Sequence, residues 1–375
     1  MIKSSKYARF DAITKAFEFL DDKSIHVVAQ TAPSVRVGLG ESFGLPIGTN
    51  VKGKMITALR KLGFDRVFDT NTGADFTIME EANEFVDRYE SKKNLPMFTS
   101  CCPAWVMFAE KNYPEMCKYL SSCKSPHQMF GAIIKSYYAN KFNISKEKIK
   151  VISIMPCIAK KAEIARPEMN VDGIRDVDLV ISTTELAEMM QRKNIDLEQL
   201  EDGDYDNPMG NATGAGAIFG VTGGVMEACL RTAADLLEGE SLEKVQYKSV
   251  RGYNGIKFST VRIGKREIKV AVVSGIQNAK TIMEEIKNEK IKLDFVEVMS
   301  CPGGCIMGAG QPYMSRNNWD YKTIQHLRSK ALYKIDEKST YRKAHENPVL
   351  IDVYKNLLQA PGSKIAEKYL HVKYE

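Results

Sequence analysis

The chain has 375 residues, 44% hydrophobic, 9% aromatic and 27% charged. That balance belongs to a globular protein with a large core and excludes a disordered chain. No apolar run reaches the ~18 residues of a membrane span. Lys and Arg exceed Asp and Glu by only 53 to 47, and no basic-aromatic motif of a nucleic-acid binder accompanies the excess. The basic start, Met1 to Phe10, lacks the apolar stretch of a secretory signal, so a cytoplasmic protein is expected.

Residues 1–24 read as an amphipathic helix with Phe17 and Leu20 on its apolar side. The β-branched run Ile25 to Ala29 follows and stops at Gln30-Thr-Ala-Pro-Ser34, where Pro33 disfavours a continuing helix and leaves Ser34 free to meet a ligand. Val51 to Leu62 is a helix stopped by Gly63, and Val67 to Thr70 a strand. Phe76 to Tyr89 is a helix with Ile78, Ala82, Phe85, Val86 and Tyr89 on one face. Glu81, Glu84 and Arg88 line its flank, and helix spacing alone makes that flank a solvated edge with an i,i+4 ion pair.

Pro96 to Ser100 is a strand that runs into Cys101 and Cys102, and Pro103 suits the first position of the next helix. The same pattern recurs where Val151 to Met155 ends at Pro156-Cys157. Val177 to Ser182, Ile268 to Ser274 and Phe295 to Met299 are further buried strands, the last ending at Cys301 and Cys305. Strands separated by helices imply an α/β protein of two lobes, set at residues 25–148 and 149–330, with a polar helical wrap over 331–375. Gly214 to Gly220 approaches a dinucleotide fingerprint but has Phe219 out of pattern and no strand before it, so close packing in a cofactor crevice is the better reading.

The eight cysteines are Cys101, Cys102, Cys117, Cys123, Cys157, Cys229, Cys301 and Cys305. Metal ligation or redox chemistry suits those near turns better than disulfides do. Cys117, Cys123 and Cys229 read as small core residues. The other five sit at strand–turn junctions. Four thiolates close a tetrahedral site, and adjacent side chains point apart, so one of Cys101 and Cys102 is spare. Paired C-x2-C zinc knuckles are absent. The residues alone therefore indicate one iron–sulfur cluster between two lobes, beside a spare thiol.

TSCCPAW (Thr99 to Trp105), MPCIAKK (Met155 to Lys161) and EVMSCPGGCIMGAGQP (Glu297 to Pro312) resemble, in order and spacing, the three signature segments of iron-only (FeFe) hydrogenases. QTAPSVR, ADFTIMEEA, SPHQMFG, GAGAIFGVTGGVMEA, VRGYNGIK and YRKAHENP carry the likeness over nearly the whole chain. The resemblance implies a mostly parallel four-stranded sheet in each lobe, with the cofactor in the cleft between them. It assigns Cys102, Cys157, Cys301 and Cys305 to a 4Fe–4S cluster, with Cys305 bridging to a di-iron subcluster that carries carbonyl, cyanide and azadithiolate; together these form the H-cluster. Lys160 and Pro33-Ser34 would receive the cyanides, Met155, Met299 and Phe219 would wall the irons, and His127 would stand beside the distal iron. Cys101 would relay protons, continuing through Glu81, Ser121, Glu84 and Arg88.

The expected activity is reversible hydrogen oxidation and proton reduction. Ferredoxin or flavodoxin would carry the electrons, and maturation machinery would supply the di-iron subcluster; no nucleic acid or membrane is expected as a partner. A hydrogen-sensing protein and a catalytically silent iron–sulfur relative are the alternatives. No cysteine precedes residue 101, so no accessory ferredoxin-like domain is expected. His127, Ile158, Ser300, Ala104, Met307 and Ala309 depart from the family pattern around the cluster.

Overall fold

A computed structural model describes residues 11–243, 245–313 and 320–374. Its strands are β1 (His26–Thr31), β2 (Arg66–Asp69), β3 (Met97–Phe98), β4 (Ile149–Met155), β5 (Asn170–Val171), β6 (Ile174–Arg175), β7 (Leu179–Ser182), β8 (Ile256–Ile263), β9 (Arg266–Ser274) and β10 (Phe295–Met299). They form two four-stranded sheets, β2-β1-β4-β7 and β3-β10-β9-β8, and a small β5-β6 hairpin.

The first sheet is wholly parallel, with Ala29 opposite both Val67 and Ile152. The second is parallel except for β8, which runs antiparallel to β9. VISIM, LVIS and FVEVM are near-continuous apolar runs because both faces of these strands are covered, as parallel sheets require. One core surrounds the first sheet, and two more lie on opposite sides of the second.

The α/β class and the two four-stranded sheets agree with expectation. The division at residue 148 does not, because strand pairing crosses it. The strand β3, from the first part of the chain, pairs with β10, while β4 and β7, from the second part, extend the sheet begun by β1 and β2. Parallel neighbours need long crossovers, so chain order and sheet membership part company. Strand β8 is missing from the sequence reading. It is an edge strand with exposed Phe258, and its polar half-exposed pattern hides it. Of the expected N-terminal helix, Ala12–Asp21 is helical, while residues 1–10 lie outside the described residues. Among the described residues no helix is long and apolar enough to cross a membrane.

The C-terminal part contributes helices Tyr321–Lys338, Pro348–Val353 and Lys364–Leu370. It returns across the molecule, so that Val372 N–H donates to the Ser122 carbonyl at 2.8 Å.

Candidate metal centre

Strands of both sheets end at the same place, as the crevice rule for open α/β sheets predicts. After β3, the Thr99 carbonyl accepts a bond from the Trp105 indole (3.1 Å), and the Thr99 hydroxyl accepts one from Val298 N–H (3.2 Å). These contacts fix the approach to Cys101 and Cys102. Cys102 caps the helix Pro103–Asn112, with Pro103 at its first position as expected. Its sulfur accepts the Ser300 N–H at 3.4 Å. Beyond β10, Gly303 and Gly304 take positive φ (87° and 92°), and a side chain on Gly304 would meet the Thr222 nitrogen at 2.6 Å. Only glycine serves in that turn to Cys305.

The four thiols expected as ligands converge. Burial pushes the Cys301 thiol up to about 12, with Cys102 and Cys157 adding to the effect. Burial likewise raises Cys305, helped by Cys157, Cys102 and Cys301. Four thiolates that repel one another in a buried place fit a cationic centre that neutralises them. Among the described residues, no group of three or more His, Cys, Asp or Glu is disposed to hold a single metal ion. Four thiols gathered from three strand ends are a donor set suited to an iron–sulfur cluster. Cys117, Cys123 and Cys229 are buried in the core, as expected.

Beside the thiols lies a cavity of about 70 Å³. Pro33, Ser34, His127, Met155, Lys160, Phe219 and Met299 all line it, together with Cys101, Cys157 and Cys305. The Ser34 hydroxyl is buried without a hydrogen-bond partner, which suits a polar group bound in the cavity. Gly220 makes room there, since a Cβ on it would lie 2.5 Å from the Ser34 hydroxyl. The rest of the wall is dominated by thioether, thiol and aromatic groups. A ligand with a few polar atoms and an otherwise apolar surface fits.

Lys160 is the cation of this cavity. Its ammonium donates to the Cys101 carbonyl (3.0 Å) and to Glu163 Oε2 (2.8 Å), which leaves a third donor. His127 Nε2 meets the same Glu163 oxygen at 2.7 Å, and its Nδ1 meets the Ser153 hydroxyl at 3.1 Å. Burial opposes the charge on Glu163, but Lys160 and His127 outweigh it and pull the carboxyl down to about 2. Burial also opposes the charge on Lys160, and Glu163 and Cys157 more than restore it. Burial, then Lys160, lowers His127 below its ordinary value. That direction favours the neutral ring, in which Nε2–H faces Glu163 and Nδ1 accepts the Ser153 hydroxyl. Both ring nitrogens are engaged within the protein.

The flank expected to be solvated is buried at Glu81 and half-buried at Glu84 and Arg88. Helix Thr70–Ser91 passes between the Ser121–Cys123 segment and helix Gly224–Glu238, so Glu81 has no exposure. Burial, then the Glu84 carboxylate, lifts Glu81 to about 8, so it is mostly protonated at neutral pH. One Glu81 oxygen accepts the Cys229 thiol at 3.4 Å, while the other has no hydrogen-bond partner. Burial, then Glu81, also keeps the Cys101 thiol protonated. Ser121 donates to Glu84 at 2.8 Å, and Arg88 donates to Glu84 at 2.6 Å and to the Leu120 carbonyl at 2.9 Å. The Ser121–Glu84–Arg88 half is therefore a continuous chain.

The sequence from residue 25 to 309 matches the family described as "Iron only hydrogenase large subunit, C-terminal domain", and residues 322–375 match "Iron hydrogenase small subunit". The chain belongs to the iron-only hydrogenase family. It is 48% identical over 351 residues to iron hydrogenase 1 of Clostridium pasteurianum, covering 93% of this chain and 61% of that one. It is 47% identical over 368 residues to the NADP-reducing hydrogenase subunit HndD of Solidesulfovibrio fructosivorans, covering 96% of this chain and 62% of that one. The chain thus spans about three-fifths of the length of these relatives. The solved structure of an apo FeFe-hydrogenase from Chlamydomonas reinhardtii superposes with a TM-score of 0.85 at 39% identity, covering 97% of this chain and 98% of that one. At lower identity, 30% over 360 residues, the chain also resembles the cytosolic Fe–S cluster assembly factor narfl of Xenopus tropicalis, covering 93% of this chain and 74% of that one.

Within this chain, the residues that departed from the family pattern now have surroundings. His127 is bound to Glu163 and Ser153. Ser300 bonds Cys102 through both its backbone and its hydroxyl, the latter at 3.2 Å, and Met307 touches the buried Arg328 guanidinium. Ile158 is 55% exposed beside Cys157. Sequence reasoning missed Glu163 and Cys229. Glu163 was within reach, because it lies three residues after Lys160 on one helix turn. Cys229 had no such signal.

Proposed function

We propose that the protein is a hydrogenase that interconverts hydrogen with protons and electrons. Cys102, Cys157, Cys301 and Cys305 would hold the H-cluster, a 4Fe–4S cluster joined to a di-iron subcluster with carbonyl, cyanide and azadithiolate ligands, and Cys305, which lines the cavity, would serve both parts. Bound there, the H-cluster supplies the redox chemistry and the site where hydrogen is split or formed. Everything else falls to the side chains. The convergence of all seven expected cofactor-contact residues on one cavity beside the thiols carries the reading.

Lys160 offers its free donor and positive charge to an anionic ligand atom, and Ser34 offers its unpartnered hydroxyl. Because Lys160 is held by Glu163 and the Cys101 carbonyl, its direction is set before anything binds. Met155, Met299 and Phe219 exclude water, which strengthens each polar contact inside. The Cys101 thiol takes or gives the proton at the cavity, and Glu81, protonated near neutral pH, exchanges it with Ser121, Glu84 and Arg88. A group titrating near 8 suits two-way transfer at neutral pH.

Cys102, Cys157 and Cys301 are partly exposed, which supports electron exchange with a ferredoxin or flavodoxin docked beside them. A cytoplasmic location belongs to the same proposal and rests on eight free thiols. The likeness to an assembly factor favours a second reading, a cluster-bearing protein without turnover. The complete set of cavity contacts and the buried proton route speak against it.

The test is to load anaerobically reconstituted protein with a synthetic di-iron complex, record infrared bands of carbonyl and cyanide, and assay hydrogen evolution from a reduced dye. Bands with turnover are expected. No bands and no hydrogen would defeat the hydrogenase reading, while bands without turnover would favour a sensor or silent protein.

A further inference from the structure

The proton route uses Glu81 and Glu84 but leaves Glu80 unexplained, although Glu80 is a buried carboxylate on the same helix. Three donors converge on it, and all come from the C-terminal segment. Tyr354 Oη reaches Glu80 Oε1 at 2.5 Å, while Gly362 N–H and His371 Nε2 reach Oε2 at 2.8 and 3.0 Å. The other nitrogen of His371, Nδ1, meets the Ser122 hydroxyl at 2.8 Å. Around it the tail runs antiparallel to the Ser122–Lys124 segment. Val372 N–H donates to the Ser122 carbonyl, and Lys124 N–H to the Leu370 carbonyl, each at 2.8 Å.

Ser122 is also the neighbour of the proton route. Its backbone N–H donates to both oxygens of Glu84, at 3.2 and 3.1 Å, while the hydroxyl of Ser121 donates to Glu84 Oε2 at 2.8 Å. Ser121 thus meets Glu84 through its hydroxyl and Ser122 through its backbone N–H, while the Ser122 hydroxyl is directed to His371. The Glu80 carboxylate accepts, so His371 Nε2 carries the hydrogen of that bond. With Nε2 turned to Glu80, Nδ1 is the ring nitrogen that engages the Ser122 hydroxyl. That turns the Ser122 hydroxyl away from Glu84 and leaves Ser121 as the hydroxyl in the chain.

We propose that the C-terminal segment is a clamp on the proton route, in which His371, braced by Glu80, holds the Ser122 hydroxyl away from Glu84 so that Ser121 alone completes the link. His371 acts through Ser122 and Glu80 and is a positioning residue. The proposal rests on the reading of Ser121, Glu84 and Arg88 as the route's outer half. It also gives a mechanical reason for the tail to return across the molecule. The tail fixes the long helix and the Ser121–Lys124 segment relative to each other, and displacement of a transfer partner by about 1 Å can cost on the order of a hundredfold in rate.

The test uses the full chain. In the apoprotein, His371→Leu is expected to raise amide hydrogen exchange severalfold at residues 121–124 and along 80–88, relative to the rest of that helix. In the loaded protein it is expected to leave the carbonyl and cyanide bands in place, lower turnover about tenfold and enlarge the solvent isotope effect. Adding Ser122→Ala removes the competing hydroxyl and should recover most of the lost turnover. His371→Gln, which keeps a polar group facing Ser122 and Glu80, should lie between parent and His371→Leu, and it serves if the Leu variant does not fold. Unchanged exchange and unchanged turnover would overturn the clamp, as would a loss that Ser122→Ala fails to recover. Parent protein that shows the infrared bands but no turnover would overturn the proton-route reading and the clamp with it. A parent that turns over, beside an equally active His371→Leu, would overturn the clamp alone.

Discussion

Replacing Glu163 by Gln removes the one carboxylate that His127 and Lys160 share. A carboxyl held at about 2 instead of its ordinary 4.5 contributes about 3 kcal/mol to folding at neutral pH. Glu163 is 3% exposed, so solvent screening takes little from that figure. The sign follows from the depressed value. The contribution is complete above pH 4.5 and is lost as the pH falls from there towards 2, because the unfolded chain takes up the proton first. Losing the carboxylate also strands the Lys160 ammonium in a dry cavity, and breaking a buried pair typically costs about 3–5 kcal/mol. Urea unfolding of the apoprotein at pH 7, under reducing and anaerobic conditions, should therefore show Glu163→Gln less stable than the parent by about 3 kcal/mol. The gap should narrow below pH 4.5. A variant within about 0.5 kcal/mol of the parent at pH 7, the range of an ordinary surface change, would refute the claim that Glu163 anchors the pair.

Cys101→Ala should keep the carbonyl and cyanide infrared bands of the loaded protein and lose most hydrogen evolution; unchanged turnover would rule out Cys101 as the relay. Glu81→Gln should act on stability in the opposite sense to Glu163→Gln. Glu81 stays protonated up to about 8 while the unfolded chain ionises near 4.5, so the parent loses stability as the pH rises between those values, by an amount on the order of 5 kcal/mol. The Gln variant should lack that slope in pH-dependent denaturation, and parallel curves for the two proteins would contradict the assignment. Cys301→Ser should lower the iron retained after reconstitution and change the paramagnetic resonance signal of the reduced cluster. Full iron content with the parental signal would remove Cys301 from the ligand set.

The cysteine framework was legible because each motif is local. A strand, a stop and a thiol occupy a handful of consecutive residues at Phe98–Cys102, Met155–Cys157 and Met299–Cys305, and the parallel topology brings those stops to one crevice. The Glu81–Glu84–Arg88 flank was illegible from periodicity, since what buries it comes from Ser121 and Cys229, remote in sequence. Only the family likeness pointed to it. The same distance in sequence hid the exchange of strands between the two parts of the chain and the grip of Tyr354, Gly362 and His371 on Glu80. Gly214 to Gly220 was read correctly as close packing, for Gly220 lies against Ser34 and Gly216 against the Asn71 carbonyl.

The central claim is that hydrogen is split in this cavity and that its proton leaves through Cys101. The most direct measurement is isotope exchange. Protein loaded with the di-iron complex is held in deuterium oxide under hydrogen, without any electron carrier, and the gas is analysed by mass spectrometry. The parent should release hydrogen deuteride and deuterium steadily, and Cys101→Ala should fall to the background of unloaded protein while retaining its infrared bands. A loaded parent that shows those bands and releases no hydrogen deuteride would contradict the account.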